Sequence, residues 1–404
     1  MISVTQALEL LTAAFSPLSA ERVGLADALG RVLSDDVASR ITQPPSDVSA
    51  MDGYAVRAAD VATVPVTLRR IGESAAGQAF DGVLGAGHAV RIFTGAPVPE
   101  GADAIVIQEN TEAKGDDVVV RQGAAPGKFI RPAGLDFAEG RVLLPAGRVM
   151  TARDVGMAAA MNVPWLSVRR RPRIAVLATG DELVMPGEPR SRDQIISSNS
   201  LAVAAYVRVL GGEPVNLGIA ADNVETLRAL IAGARGADVL VTIGGASVGD
   251  HDLVRRVLDE EGLELAFHRV AMRPGKPVIF GRLGPLAVLG MPGNPVSAGV
   301  SAVIFLKPAI EAMLGVSGER GPSPTALLGC DLNGNDERQD YLRATIANDA
   351  DGNPVATPAG KQDSSMMAVF AAADCLIVRP PHAAAARAGE RVEIVPLRRG
   401  HLSL

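Results

Sequence analysis

The chain has 404 residues and a mass of 41.7 kDa, enough for two to three domains at ~150 residues each. Its composition, 48% hydrophobic and 21% charged, excludes disorder over most of the length. A net charge of −6 argues against nucleic acid or an anionic membrane as partner, and 3% aromatics argues against a base-stacking platform, although a local cation cluster can still hold a small anion. Cys330 and Cys375 form neither a disulfide framework nor a metal spacing, and the five histidines lack a His-x-x-x-His pair, which disfavours zinc. The N-terminus has no basic n-region or long apolar h-region, and apolar runs such as Val300–Leu306 are too short to span a bilayer. The expectation is a soluble, cytoplasmic protein.

A Ser3-x-x-Gln6 capping box opens a helix whose apolar face is Val4, Leu8, Leu11 and Phe15, and Pro17 ends it. A second short helix is expected to close at Gly30. Between residues 41 and 136 short β-branched runs (Val64–Ile71, Ala89–Phe93, Ala104–Gln108, Val118–Arg121) alternate with Gly, Pro and Asp clusters, the texture of a small β module. A helix resumes at Thr151 and ends near Asn162. From Arg173 to about Gly315, strands at Ile174–Ala178, Pro214–Ile219, Val239–Ile243, Val278–Phe280 and Pro285–Leu289 are interleaved with helices at Leu201–Leu210, Asn223–Ala234 and Leu253–Glu261, and a long apolar helix follows Pro295. That alternation predicts a doubly wound, mostly parallel sheet with helices on both faces. Beyond about Pro322 the runs Leu376–Val378 and Arg391–Val395 read as strands of a small C-terminal β domain. The fold class is therefore α/β plus β. The divisions are 1–40 with 137–172 (helical linker domain), 41–136 (inserted β domain), 173–320 (α/β domain) and 321–404 (C-terminal, barrel-like β domain).

Ligands of open parallel sheets bind at the carboxyl ends of strands. Three glycine-rich loops leave strand ends here: 179–182, 244–252 and 291–295. Glycines let backbone N–H groups approach an anion. Arg273-Pro274-Gly275-Lys276 adds two cations, and Asp181, Glu182, Asp250 and Asp252 add carboxylates. The combination suits a phosphate held through Mg²⁺. Each part has a plainer reading. Asp250 or Asp252 can be the N-cap of the next helix, Pro292-Gly293 a type II turn, Asn294-Pro295 a cap with a first-turn proline, and Arg273 and Lys276 surface charges. It is their joint placement that favours a phosphate-bearing ligand. In the β module, spacing alone reads Met51-Asp52-Gly53 as an Asx turn, Thr94-Gly95 as a strand exit, and Arg131 with Asp136 as a surface salt bridge. Gly360-Lys361-Gln362-Asp363-Ser364-Ser365 reads as a helix cap.

Taken in order, Ser49-Ala50-Met51-Asp52-Gly53-Tyr54-Ala55, Thr94-Gly95-Ala96, Thr179-Gly180-Asp181-Glu182-Leu183, Gly244-Gly245-x-Ser247-x-Gly249-x-x-Asp252, Pro274-Gly275-Lys276-Pro277 and Pro292-Gly293-Asn294-Pro295-Val296-Ser297 run through nearly the whole chain. The chain resembles the molybdopterin molybdenumtransferase family, bacterial relatives of the gephyrin E domain. The resemblance implies a homodimer with a molybdopterin-binding α/β domain and an active site shared between subunits. Molybdate and adenylylated molybdopterin are the implied substrates, AMP is released, and Mg²⁺ is the cofactor. Carried over by motif, Asp52, Thr94, Asp136, Glu182, Asp252 and Lys276 take catalytic positions. Substrate-binding positions fall on Arg131, Gly180, Asp222, Gly244, Gly245, Ser247, Gly249, Arg273, Pro292, Gly293, Asn294, Ser364 and Arg343, with Arg338 as the alternative to the last. Glu182, Asp250 and Asp252 are the implied metal ligands. Arg273 stands where relatives commonly have Lys, and the Gly360–Ser364 stretch departs from the family pattern. Molybdopterin adenylyltransferase and molybdoenzymes are the implied transient partners.

Two other readings compete. The same α/β domain occurs in molybdopterin adenylyltransferase and nucleotide-pyrophosphate hydrolases, but those stand-alone domains have no need of the loops at 51–55 and 94–96. A non-catalytic scaffold would be free to lose Glu182, Asp252 and Lys276.

Overall fold

The computed structural model describes residues 1–245, 253–317 and 323–397. The chain divides into two compact units, one of Met1–Asp35, Ala146–Arg153 and Ser167–Leu404, the other of Asp36–Pro145 and Asp154–Leu166. The first helix, α1 (Val4–Ala13), carries the expected capping box: Ser3 Oγ accepts the Gln6 N–H at 3.1 Å and Gln6 Oε1 accepts the Ser3 N–H at 3.1 Å. The second short helix is not formed as such, because only the three residues Leu25–Asp27 make a 3-10 turn before Gly30 takes a positive φ of 72°.

The second unit is built on a six-stranded sheet of β1 (Gly53–Val56), β2 (Val66–Ser74), β3 (His88–Ile92), β4 (Ala104–Ile107), β5 (Thr111–Lys114) and β6 (Asp117–Val120), in the order β4-β1-β3-β2-β6-β5. Only β2 and β3 run parallel. Strand alternation places Tyr54 and Val56 with Leu68, Val106, Val118 and Val120 in one core, and Ala55 with Val90, Ile92 and Ile105 in another. The helix α2 (Ala152–Ala160) is followed by Asn162 in the left-handed region (φ 58°), a conformation asparagine tolerates.

The first unit holds the wound sheet: β7 (Arg173–Thr179), α3 (Asn199–Val209), β8 (Glu213–Ala220), α4 (Val224–Ala232), β9 (Val239–Ile243), α5 (Leu253–Glu260), β10 (Glu264–Phe267), β11 (Met272–Arg273), β12 (Ile279–Leu283), β13 (Leu286–Met291) and α6 (Pro295–Leu314). The sheet order is β8-β7-β9-β13-β12-β10, with the first four strands and β10 running one way and β12 against them. Both faces are covered, so the strands read as continuous apolar runs. Ile174 and Val176 pack with α1, α3 and α6, while Ala175 and Leu177 pack with α4 and α5. Asn223 caps α4 by accepting the Thr226 N–H at 2.8 Å.

By length and composition α6 matches a membrane-crossing helix, against the expectation from the separate apolar runs. Yet 72% of its apolar window is buried, which makes it the central core helix. It contains a π turn at Ala302–Leu306, where the Lys307 N–H donates to Ala302 O. Pro308 follows and has no N–H to continue an ordinary ladder.

The last part closes a small barrel from β14 (Thr325–Leu328), β15 (Gln339–Asn348), β16 (Pro354–Pro358), β17 (Cys375–Arg379) and β18 (Arg391–Pro396), paired β15-β16-β14-β18-β17 and back to β15. A helix, α7 (Met367–Ala372), sits between β16 and β17, and β11 adds to β15 in parallel. Apolar runs in the sequence mark β17 and β18 but not β15, the longest strand among the described residues, because Asp340 and Arg343 are buried on it and break its apolar alternation.

Candidate functional site

The carboxyl ends of β7, β8, β9 and β13 open into one cleft of about 870 Å³. Its lining includes eight of the residues singled out in the sequence: Gly180, Glu182, Asp222, Gly244, Gly245, Pro292, Gly293 and Asn294. Ser247, Gly249, Asp250 and Asp252 lie outside the described residues.

Local backbone demands explain the glycines. Gly180 has φ 141°, and a Cβ there would lie 2.3 Å from Glu182 Oε2, so glycine lets that carboxylate fold back over the end of β7. Gly244 has φ 93°, and a Cβ would lie 2.7 Å from Thr179 O. The loop after β9 therefore rests directly on the last residue of β7.

The carboxylates share one field. The Asp222 N–H donates to Asp181 Oδ1 at 2.9 Å. Partial burial, then the Asp181 and Glu182 charges, push the Asp222 carboxyl above its ordinary value. Oxygen donors under mutual repulsion suit a hard cation such as Mg²⁺. Among the described residues no group of three or more His, Cys, Asp or Glu stands ready to hold a metal. Glu182 and Asp222 are the two carboxylates among the described residues that line the cleft.

The two cations expected at the cleft separate. Lys276 is exposed beside Pro277, which lines the cleft, and has no ion pair with a described residue. Arg273 instead turns to the barrel: its guanidinium pairs with Asp336, and its Nε lies 3.4 Å from Asp340 Oδ1. Asp336 also takes Arg338 Nη2 at 2.7 Å. Bonds from Arg338, with the Arg273 charge, hold the Asp336 carboxyl well below the usual carboxylate range. Arg273 is therefore not a free anion ligand.

Arg343 is 1% exposed; its Nη2 donates to Asp363 O at 3.0 Å while its Nε has no partner. Burial pushes its guanidinium pKa down. Ser364 is brought to the cleft rim, where its Oγ accepts from Asn294 Nδ2 at 2.8 Å and its carbonyl accepts the Val296 N–H at 3.0 Å. The expected caps differ accordingly. Asn294 stands at the N-cap of α6 with Pro295 in the first turn, but its side chain makes no capping bond, and α7 starts after Met366 without a side-chain cap.

Sequence reasoning missed Ser197, Ser198, Asn199, Ile195, Ile196 and Arg256, all in the cleft wall. Asn199 Nδ2 donates to Gly293 O at 2.6 Å and ties the start of α3 to the β13 loop. Arg256 lies in the first turn of α5, where the helix dipole disfavours a cation, and its Nε faces Glu260 Oε1 one turn on at 3.6 Å.

In the second unit Asp52 and Thr94 come together. Asp52 Oδ1 accepts the Thr94 N–H at 2.7 Å and the Thr94 hydroxyl at 2.8 Å. The backbone bond, the hydroxyl bond and the Arg91 charge lower the Asp52 pKa. No ion pair joins Arg131 to Asp136 among the described residues. Arg131 lies opposite Val48 in a short antiparallel pair, and the Asp136 N–H donates to Gln43 O at 3.1 Å. Thr94→Val removes one of the two bonds to Asp52, so its pKa rises toward the ordinary value while staying below it. A depressed carboxyl stabilises the fold above its unfolded pKa and loses that contribution as pH falls through its folded pKa, so the variant also gives up part of that contribution. Carboxyl-carbon NMR titration reads the midpoint, and an unmoved midpoint would mean that the backbone bond alone sets it.

Family models match along the chain: "MoeA N-terminal region (domain I and II)" at residues 2–162, "Probable molybdopterin binding domain" at 175–312, and "MoeA C-terminal region (domain IV)" at 325–397. The chain is 34% identical to the molybdopterin molybdenumtransferase of Haemophilus influenzae over 94% of both chains, and 32% identical to that of Bacillus subtilis over 94% of this chain and 90% of the other. The crystal structure of the molybdopterin biosynthesis moea protein from Pyrococcus horikosii superposes with a TM-score of 0.85 at 32% identity, covering 99% of this chain and 100% of that one. Whole-length identity, a shared multidomain fold and a polar cleft at the carboxyl end of the wound sheet agree: the chain belongs to the molybdopterin molybdenumtransferase family, transferases of molybdenum cofactor biosynthesis.

Proposed function

We propose that the cleft takes adenylylated molybdopterin together with molybdate, releases AMP and leaves molybdenum on the dithiolene. The supporting observation is the single cleft in which three glycine loops, the hydroxyl and amide groups of Thr179, Ser197 and Asn199, the Arg256 cation and two carboxylates converge. Bringing two polyanions together is opposed by their Coulomb repulsion, which grows as water is excluded. Aligned N–H groups, Arg256 and the neighbouring Lys276 offset it, and positioning with charge neutralisation carries most phosphoryl-type chemistry. Mg²⁺, when bound, supplies further neutralisation of phosphate charge. Glu182 and Asp222 are the described oxygen donors for it, with Asp250 and Asp252 as sequence candidates.

The protein acts as a homodimer in this reading, with the Asp52–Thr94 pair, Arg131 and Asp136 serving the cleft of a second copy. It works in the cytoplasm, with an adenylyltransferase upstream and molybdoenzymes downstream. Both cysteines are unpaired, as a reducing compartment requires.

Incubation with adenylylated molybdopterin, Mg²⁺ and molybdate should release AMP in a molybdate-dependent way, while molybdopterin with ATP should give no adenylate. Mixing the inactive Asp52→Ala and Glu182→Ala proteins should restore roughly a quarter of wild-type turnover, since half of randomly paired dimers keep one complete site of two. Adenylate formation would replace the transferase reading, and failure of the mixture to recover would remove the shared site.

A further inference from the structure

Arg273 and Lys276 sit in one short turn, yet the structure gives them opposite surroundings. β11 is a two-residue strand whose only ladder partner among the described residues is the barrel: Met272 pairs with Gln339 and Arg273 with Asp340, and the Gln339 N–H donates to Ala271 O at 2.9 Å. Asp340 is 6% exposed. Its Oδ1 has no hydrogen-bond partner and faces the Arg273 Nε at 3.4 Å, so the guanidinium is what compensates that buried oxygen. Asp336 grips the same guanidinium from the exposed side.

From this anchored end the chain turns at Gly275 (φ 104°). A Cβ there would lie 3.1 Å from Ser301 Oγ on α6 and 3.2 Å from Met272 Cε, so the turn is seated on the core helix. Its other end is fixed by the Val270 and Val278 N–H groups, which donate to Lys276 O at 3.0 and 3.1 Å. The next residue, Pro277, lines the cleft.

We infer that Asp340 is a positioning residue. Through Arg273 it latches β11 to the barrel and holds the Pro274–Pro277 turn so that Lys276, which has no ion pair among the described residues, stays beside the cleft. The barrel then contributes to the site by fixing a loop of the wound domain, and one of two adjacent cations is used as an anchor while the other is left for the anionic substrate. The inference rests on the proposed role of Lys276.

The test is a double-mutant cycle on the full-length protein, read as kcat/KM for molybdate-dependent AMP release and as Kd for AMP by calorimetry. Asp340→Asn alone should lower kcat/KM about tenfold with the melting temperature near that of the wild type. In a Lys276→Ala background the same substitution should change either readout less than twofold, because a latch that acts through Lys276 has nothing left to position. Asp340→Glu should recover part of the loss. Asp336→Asn, at the exposed side of the latch, should cost about threefold with the same dependence on Lys276, and it provides the cycle if Asp340→Asn does not fold. A full loss that persists in the Lys276→Ala background, or wild-type kinetics for both carboxylate variants, overturns the latch. Wild-type kinetics for Lys276→Ala itself overturns the underlying reading of the cleft instead.

Discussion

Glu182→Gln should lower AMP release by at least about a hundredfold while leaving the melting temperature unchanged, because it removes a charge the reaction needs and no contact the fold needs. Glu182 is exposed at the cleft, its side chain has no hydrogen-bond partner among the described residues, and glutamine keeps its volume. What it loses is anionic oxygen at the point where Gly180 lets it fold back over β7. The variant carries an internal check. Burial and the Asp181 and Glu182 charges all hold the Asp222 carboxyl up, so removing one charge must bring the Asp222 pKa down. A titration in which Asp222 falls while turnover collapses places the effect in the local field. Turnover above a tenth of wild type would show that Glu182 is not part of the machinery.

The parts of this site that the sequence shows are those whose constraint is local. A glycine that must take φ 93° or φ 141° is glycine for a reason that its own neighbours supply, and Gly180 and Gly244 sit at strand ends that apolar runs had already marked. β9 coincides with its expected run, Val239–Ile243, because a strand buried on both faces carries no interruption. The parts it hides depend on partners far along the chain. Nothing around Arg273 tells it from Lys276. The difference is made by Asp336 and Asp340, more than sixty residues later, which the barrel returns to β11. The same holds for β15, where Asp340 and Arg343 are buried through contacts that the linear pattern does not contain. Ile195 and Ile196 face the cleft from a short strand amid polar residues, so no periodicity announced them. Asn294 keeps its place at the head of α6 but gives its side chain to Ser364, seventy residues on, where local rules assign it to the cap.

Gly244→Ala should destabilise the first unit by about 2–3 kcal/mol and lower turnover with it, which separates two costs that a glycine in a functional loop can carry. One is conformational: an L residue at φ 93° is strained. The other is steric: the new Cβ would lie 2.7 Å from Thr179 O, a backbone atom that can yield only if the end of β7 shifts. Gly218 is the natural control. It has φ 87°, nearly the same conformation, in the bulged part of β8, but a Cβ there meets nothing within 4 Å. Gly218→Ala should therefore cost only the conformational part, roughly 1 kcal/mol, and leave AMP release near wild type. Urea unfolding of the two variants gives the steric part as their difference. If both lose the same stability, the contact between the β9 loop and β7 is relaxed by small adjustments and the close seat is not obligatory. If Gly244→Ala alone is damaged in both stability and turnover, the approach of those two backbones is what shapes the floor of the cleft.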